Sequence, residues 1–352
     1  MNLDLKAINQ CVRCGSCRAF CPVFEESGWE SANTRGRIMI MKELTCGLLP
    51  DSQVLDSLNS CTTCGLCTEN CPAGVNPPEL IENARRQLVS QGKMTIQQAD
   101  LSRNIFASGN TFGDGRDRLS WLKDKSLLAK KAEYVYFVGC MNSYRYTDTA
   151  ANTFALLHRF GATMLPAEQC CGSPLLRTGF DARRFVDDNC RQIANTGAKT
   201  VITGCAGCYT TLKKSYPQDF RVESVPEFLA HRISELDLKP LDLTVTYHDP
   251  CHLGRHNQIY DQPRQVIKAI CHLIEMKTNR KDARCCGGGG GVRAGYRDLS
   301  LQMARKRLKD APQDVDYIVT SCPLCIRNLR DAGAGERVID LVDLVAMAAR
   351  KS

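Results

Sequence analysis

Cys285-Cys286-Gly287-Gly288-Gly289-Gly290-Gly291 lies between Cys251, in Asp249-Pro250-Cys251-His252, and Cys322-Pro323-Leu324-Cys325. Two adjacent cysteines fit poorly as two ligands of one tetrahedral ion, and a glycine run has no Cβ to hold backbone away from a bulky inorganic group. The pattern therefore points to an iron–sulfur cluster. It occurs once before, at Cys140, Cys170-Cys171-Gly172 and Cys205-Ala206-Gly207-Cys208, with 29 and 33 intervening residues against 33 and 35 in the second copy. An internal repeat of this kind predicts two like units packed together. A vicinal disulfide or zinc is the alternative for each Cys-Cys pair, but ten cysteines repeated in register need one shared reason.

Both copies read as small α/β layers. Glu133-Tyr-Val-Tyr-Phe-Val-Gly-Cys140 is an apolar strand ending at a cysteine; helices follow over 147–160 and 183–194, and a strand over 199–204 delivers Cys205. The second copy repeats the plan with strands over 241–247 and 315–320 and helices over 263–269 and 299–308. A last helix, 337–350, is expected to pack on the domain or on a partner. Ligands at the carboxyl ends of strands lie where open α/β sheets place their sites.

Upstream stand Cys11-Val-Arg-Cys14-Gly-Ser-Cys17-Arg-Ala-Phe-Cys21-Pro22 and Cys61-Thr-Thr-Cys64-Gly-Leu-Cys67-Thr-Glu-Asn-Cys71-Pro72. This is the bacterial ferredoxin run, doubled. Three close thiolates hold three irons of a 4Fe-4S cube and the fourth cysteine serves the other cluster, which assigns Cys11, Cys14, Cys17 and Cys71 to one site and Cys61, Cys64, Cys67 and Cys21 to the other. Zinc is the alternative, but it usually takes two CxxC pairs. Helices predicted over 33–44 and 77–89 make this a helical ferredoxin domain. From 95 to 131 loop signals dominate, although Phe106, Phe112, Trp121 and Leu122 predict a linker laid on the surface.

Of 21 cysteines in 352 residues, 18 fall into these four groups; Cys46, Cys190 and Cys271 read as small core residues. No export signal and no apolar run of about 18 residues occurs, so a cytoplasmic location is expected, where so many cysteines imply metal or redox chemistry rather than disulfides. The formal charge of +8 counts thiols as neutral, whereas bound cysteines are thiolates, so it is no sign of a nucleic-acid partner. Gly289, Gly291 and Ala294 fit G-x-G-x-x-A, yet no apolar strand precedes them and no P-loop occurs. His252 and His256 flank Cys251 and are expected to hydrogen-bond around the ligands rather than bind iron. Arg255, Arg293, Lys213 and Lys214 are candidates to hold an anionic substrate or to neutralise cluster charge. No Ser-His-Asp set, catalytic carboxylate pair or flavin motif is present.

On these residues the chain resembles the D-type component of heterodisulfide reductase and its relatives. Further support comes from Asn33-Thr-Arg-Gly-Arg-Ile, Gly109-Asn-Thr-Phe-Gly, Gly204-Cys-Ala-Gly-Cys-Tyr, Tyr247-His-Asp-Pro-Cys-His-Leu-Gly-Arg-His and Ser321-Cys-Pro-Leu-Cys. The resemblance implies an α/β fold class with an N-terminal helical ferredoxin domain (1–94), the linker (95–131) and two CCG domains (132–240 and 241–352). It implies two cubane 4Fe-4S clusters and one or two non-cubane 4Fe-4S clusters, one held by Cys140, Cys170, Cys171, Cys205 and Cys208, the other by Cys251, Cys285, Cys286, Cys322 and Cys325. The shorter spacings of the first set leave its cluster type open. A disulfide would be split between these two sites, with electrons from a partner such as a membrane b-type cytochrome and a peripheral place on the membrane's inner face through it. The alternative is an electron-transfer subunit of a flavin-dependent glycolate, lactate or glycerol-3-phosphate dehydrogenase. Two complete CCG sets favour the disulfide role.

Overall fold

Eight strands form two four-stranded sheets, both wholly parallel, in a computed structural model that describes Met1 and residues 3–350. The first sheet holds β1 (Tyr134–Tyr136), β2 (Ala162–Met164), β3 (Thr200–Thr203) and β4 (Arg221–Ser224) in the order β2-β1-β3-β4. The second holds β5 (Thr244–Tyr247), β6 (His272–Leu273), β7 (Tyr317–Thr320) and β8 (Val338–Asp340) in the order β6-β5-β7-β8. Tyr136 pairs with Ile202 in one and Tyr247 with Val319 in the other, so the repeats share their register. Helices cover both faces, which is why Val135, Tyr136, Val245 and Tyr247 are all buried.

The strand order reverses between β1 and β3, and again between β5 and β7. Crevices beyond such reversals are where open α/β sheets bind ligands. Cys140 and Cys205 follow β1 and β3; Cys251 and Cys322 follow β5 and β7.

The two repeats share one apolar core. The helix Val225–His231 of the first packs on Asp261–Lys268 of the second, and Leu341–Arg350 of the second packs on Thr147–His158 of the first. Phe228, Leu229, Val266, Ile267, Leu157, Val342 and Val345 are buried between them, each worth roughly 1.5–3 kcal/mol. Because the two contacts pair equivalent helices reciprocally, the arrangement is that of a local two-fold, which turns the two crevices toward each other. Asp343 fixes the register, accepting hydrogen bonds from Thr149 Oγ1 (2.7 Å) and Asn152 Nδ2 (2.9 Å).

The segment before β1 is helical, as its pattern predicts. Asn33 caps Thr34–Thr45 by accepting from the Gly36 amide, and Pro77 opens Pro77–Ser90. Three expectations change. Residues 96–108 are a helix rather than loop, started by a reciprocal capping box between Thr95 and Gln98. The predicted helix 337–350 is strand β8 followed by a helix from Leu341, because the β-branched pair Val338-Ile339 joins β7 and Asp340 caps the helix at Val342. Cys46 is exposed and not a core residue, since it sits just past the end of its helix; Cys190 and Cys271 are half-buried against the cores. No helix among the described residues is long and apolar enough to cross a membrane.

Candidate metal centres

The two N-terminal runs curl alike. Arg13 and Thr63, each just before the second cysteine of its run, have positive φ, and so do Gly15 and Gly65 just after it. This turns successive amides inward, as where the Thr63 amide points at Cys61 Sγ at 3.4 Å. Cys11, Cys14, Cys17, Cys67 and Cys71 line one hollow. Burial pushes the Cys21 and Cys67 thiols up, and their cysteine neighbours are Cys61 and Cys64, with Cys21 and Cys67 each beside that pair. Cys21 also lies near Cys17, so the two groups of cysteines adjoin. The first group lies near solvent, where Cys14 is exposed, whereas Cys21 and Cys64 of the second are buried.

The ten cysteines of the repeats meet around a cavity of 390 Å³. Nine of them line it, from both repeats. The tenth, Cys285, lies toward Cys64 of the ferredoxin-like half, and with Cys251 and Leu66 these two form one buried cluster. Equivalent residues Cys205 and Cys322 adjoin across the local two-fold, each shifting the other's thiol. Contact between thiols is continuous: Cys286 Sγ lies 3.3 Å from Cys325 Sγ, and Cys171 adjoins both Cys170 and Cys208, which pull its thiol down to about 6. Cys322 is pushed up to about 12, chiefly by Cys205.

So many thiols cannot ionise together in a buried space unless cations lie among them. No disulfide joins any of them among the described residues. A set of soft, adjoining sulfur donors at two crevices fits iron–sulfur groups.

Charged residues around the thiols fall into two kinds. Some are buried and fixed. Arg118 donates to Glu168 (2.9 Å) and lies 3.5 Å from Cys140 Sγ, while Glu168 accepts from the Val138 and Gly139 amides and is pushed up by burial to about 7. Arg264 grips Asp249 through two bonds, at 2.8 and 2.9 Å, behind Cys251. Arg255 donates to the Cys64 carbonyl and is drawn up by Cys64, Cys251 and Cys285 against desolvation, so it neutralises charge between the two halves. Others, Arg177, Arg293, Arg297 and Arg327, line the cavity. Lys213 instead lies over the Tyr209 ring, and Lys214 lines a separate groove with His256.

His256 meets the Thr63 carbonyl at 2.9 Å and stacks on His252, whose ring nitrogens have no partner among the described residues and which lines the cavity. The glycine run borders the cavity too, but its other side has a role that its composition does not reveal. Gly290 has φ 61°, and a Cβ there would lie 2.4 Å from the Cys61 carbonyl oxygen, so the run also admits the ferredoxin-like loop. Leu101 and Phe112, from the segment expected to be a linker, form part of the cavity wall. His248 carries no sequence signal beyond its place in the motif before Cys251, and Arg85, in the helix Pro77–Ser90, carries none.

Comparison with known proteins agrees with this anatomy. Residues 134–213 and 245–330 match the model of the CCG cysteine-rich domain, and residues 7–75 that of a 4Fe-4S dicluster domain. The chain is 34% identical to the D-type component of the dihydromethanophenazine:CoB–CoM heterodisulfide reductase of Methanosarcina barkeri and 35% identical to that of Methanosarcina mazei, over 98% of this chain and 95% of each relative. It is 33% identical to the B-type component of the fumarate reductase (CoM/CoB) of Methanothermobacter marburgensis, over 98% of this chain and 73% of that one.

Proposed function

This chain belongs to the family of the D-type heterodisulfide reductase component and its CCG-domain relatives, and on that premise we propose that it reduces a disulfide to two thiols in the cavity between its two five-cysteine sites. It is an iron–sulfur subunit of an oxidoreductase. The observation that carries the finer reading is the cavity itself: cysteines of both repeats line one space, where an electron relay would need only a line of sites.

In this reading Cys11, Cys14, Cys17 and Cys71 hold one cubane, Cys21, Cys61, Cys64 and Cys67 the second, and each five-cysteine set a non-cubane cluster. Bound there, the clusters supply storage and transfer of single electrons. Entry is at the exposed first group. Cys64 beside Cys285 then links the ferredoxin half to the second repeat, and Cys322 beside Cys205 links the second repeat to the first. One disulfide takes up two electrons and two protons to give two thiols. Leu101 and Phe112 keep bulk water from its sulfurs. Partners supply or withdraw the electrons: a b-type cytochrome fits the reductase role, a flavoprotein the relay role.

The cavity arginines suit a disulfide that carries anionic groups. Arg293 is answered by Asp331, and Arg177 by Glu82 at 3.5 Å, but Arg297 has no ion pair among the described residues. Arg297→Gln is expected to raise KM for an anionic disulfide about tenfold, the worth of about 1.4 kcal/mol, with kcat little changed. Steady-state rates with a charged and a neutral disulfide check this; equal losses on both would remove Arg297 from substrate binding.

The test of the function is anaerobic EPR of the oxidised holoprotein with and without coenzyme M and coenzyme B, beside iron and sulfide analysis. A paramagnetic signal appearing only with thiol, at about sixteen irons per chain, is expected. Full iron with no thiol-dependent signal would leave the relay subunit of a flavin dehydrogenase as the function.

A further inference from the structure

His248 is the residue after β5, and its backbone is held on both sides, its amide by the Val319 carbonyl (2.9 Å) and its carbonyl by Thr320 Oγ1 (2.9 Å). Its side chain is 1% exposed. The fully buried Arg307 donates from Nε to His248 Nδ1 at 2.9 Å. Arg307 is itself fixed by the Thr278 carbonyl (2.8 Å), Thr278 Oγ1 (2.9 Å) and Asp310 Oδ2 (3.1 Å).

A guanidinium has only N–H groups to offer, so Nδ1 must present its lone pair. The ring is therefore neutral with its proton on Nε2. That nitrogen has no partner among the described residues, yet His248 has a ring nitrogen within 4.8 Å of both Cys286 Sγ and Cys325 Sγ. The three look like a metal site, but the lone pair is already engaged on Nδ1. The nitrogen left without a partner is the one that carries the N–H, and it is buried.

The first repeat lacks this device. Phe137 donates its amide to the Ile202 carbonyl (2.8 Å) as His248 does to Val319, which puts Phe137 in the same place with no polar atom in its side chain.

We propose that His248, locked in one tautomer by Arg307, donates a hydrogen bond to sulfur at the second five-cysteine site and holds that site's reduction potential above the value its cysteines alone would set. The inference rests on the second site holding an iron–sulfur group, as proposed above. Hydrogen bonds to sulfur favour the more negative, reduced state, and they are among the known determinants of iron–sulfur potentials. His248 is a positioning residue here, neither ligand nor proton source.

The experiment is an anaerobic redox titration of the full holoprotein followed by EPR, reading the feature that Cys286→Ala removes. His248→Phe installs the residue of the first repeat; His248→Gln keeps an N–H donor. With wild-type iron and sulfide in both, His248→Phe is expected to lower the midpoint by about 59 mV, about tenfold in a one-electron equilibrium, and His248→Gln by less than half of that. An unchanged midpoint in His248→Phe at full iron, or equal shifts in both variants, overturns the inference. So does loss of about four irons from both, which would make His248 a ligand or a structural support. Wild-type protein without iron at the second site would instead overturn the function reading.

Discussion

Cys286→Ala is expected to lower disulfide reduction by more than about a hundredfold while the N-terminal cubane signals persist in the reduced protein. Even partners one layer outside a metal's ligands are worth about 10- to 100-fold, and Cys286 is closer than that. Its sulfur lies 3.3 Å from Cys325 Sγ and lines the cavity. Cys285 is the less informative choice, because it lies beside Cys64 and its loss touches the ferredoxin half as well. Rates with a reduced dye and a disulfide, together with EPR of the dithionite-reduced variant, check the prediction. Unchanged turnover with full cubane signals would remove the second repeat from catalysis and leave it as scaffold.

The parts of the site that the sequence makes legible are those whose chemistry is local. Each ferredoxin-like cysteine run is read within about ten residues, and the ends of β1, β3, β5 and β7 are each announced by an apolar stretch that stops at a ligand. The short edge strands β2, β4 and β6 carry no such mark: two to four residues at a sheet edge are too few for a period to emerge. Helix Ile96–Ser108 does carry one, the Thr95-x-x-Gln98 box, but the glycines just beyond it speak more loudly for loop. The reciprocal packing of helices between the repeats is out of reach of the sequence, since it depends on which apolar faces meet. It is nonetheless what turns two metal motifs into one cavity. The glycine run shows the same limit: its composition promises close approach to something, and only the fold says that Cys61 is one of the things approached.

Arg85 puts that last contact to the test, with the largest effect expected on stability. It is fully buried in the helix Pro77–Ser90 and faces no carboxylate within hydrogen-bonding range among the described residues. Its guanidinium donates to the carbonyls of Leu58 (3.1 and 2.7 Å), Cys61 (2.7 Å), Arg177 (2.7 Å) and Gly290 (3.0 Å). Three parts of the chain therefore converge on one side chain: the ferredoxin-like half, the first repeat and the glycine run of the second. Desolvation pulls its pKa down, Cys61 and Glu82 pull it up, and the five bonds to carbonyls are what make a buried cation tolerable here. Arg85→Met leaves four buried carbonyls without a donor and is expected to cost about 3–5 kcal/mol. Because the loss falls where the halves meet, the melt is expected to split into two transitions, the ferredoxin-like half parting from the repeats. Arg85→Lys keeps the charge but has three donors on a point-like head, too few for a planar fork's five bonds, and should recover only part of the loss. Freeze-quench EPR supplies the functional half of the test: in Arg85→Met the cubanes are expected to fill at the usual rate, and the feature assigned through Cys286 to fill slowly. A single transition within about 1 °C of wild type, with unchanged transfer, would show that the halves are held together by their apolar contacts and that the five bonds of Arg85 contribute nothing net.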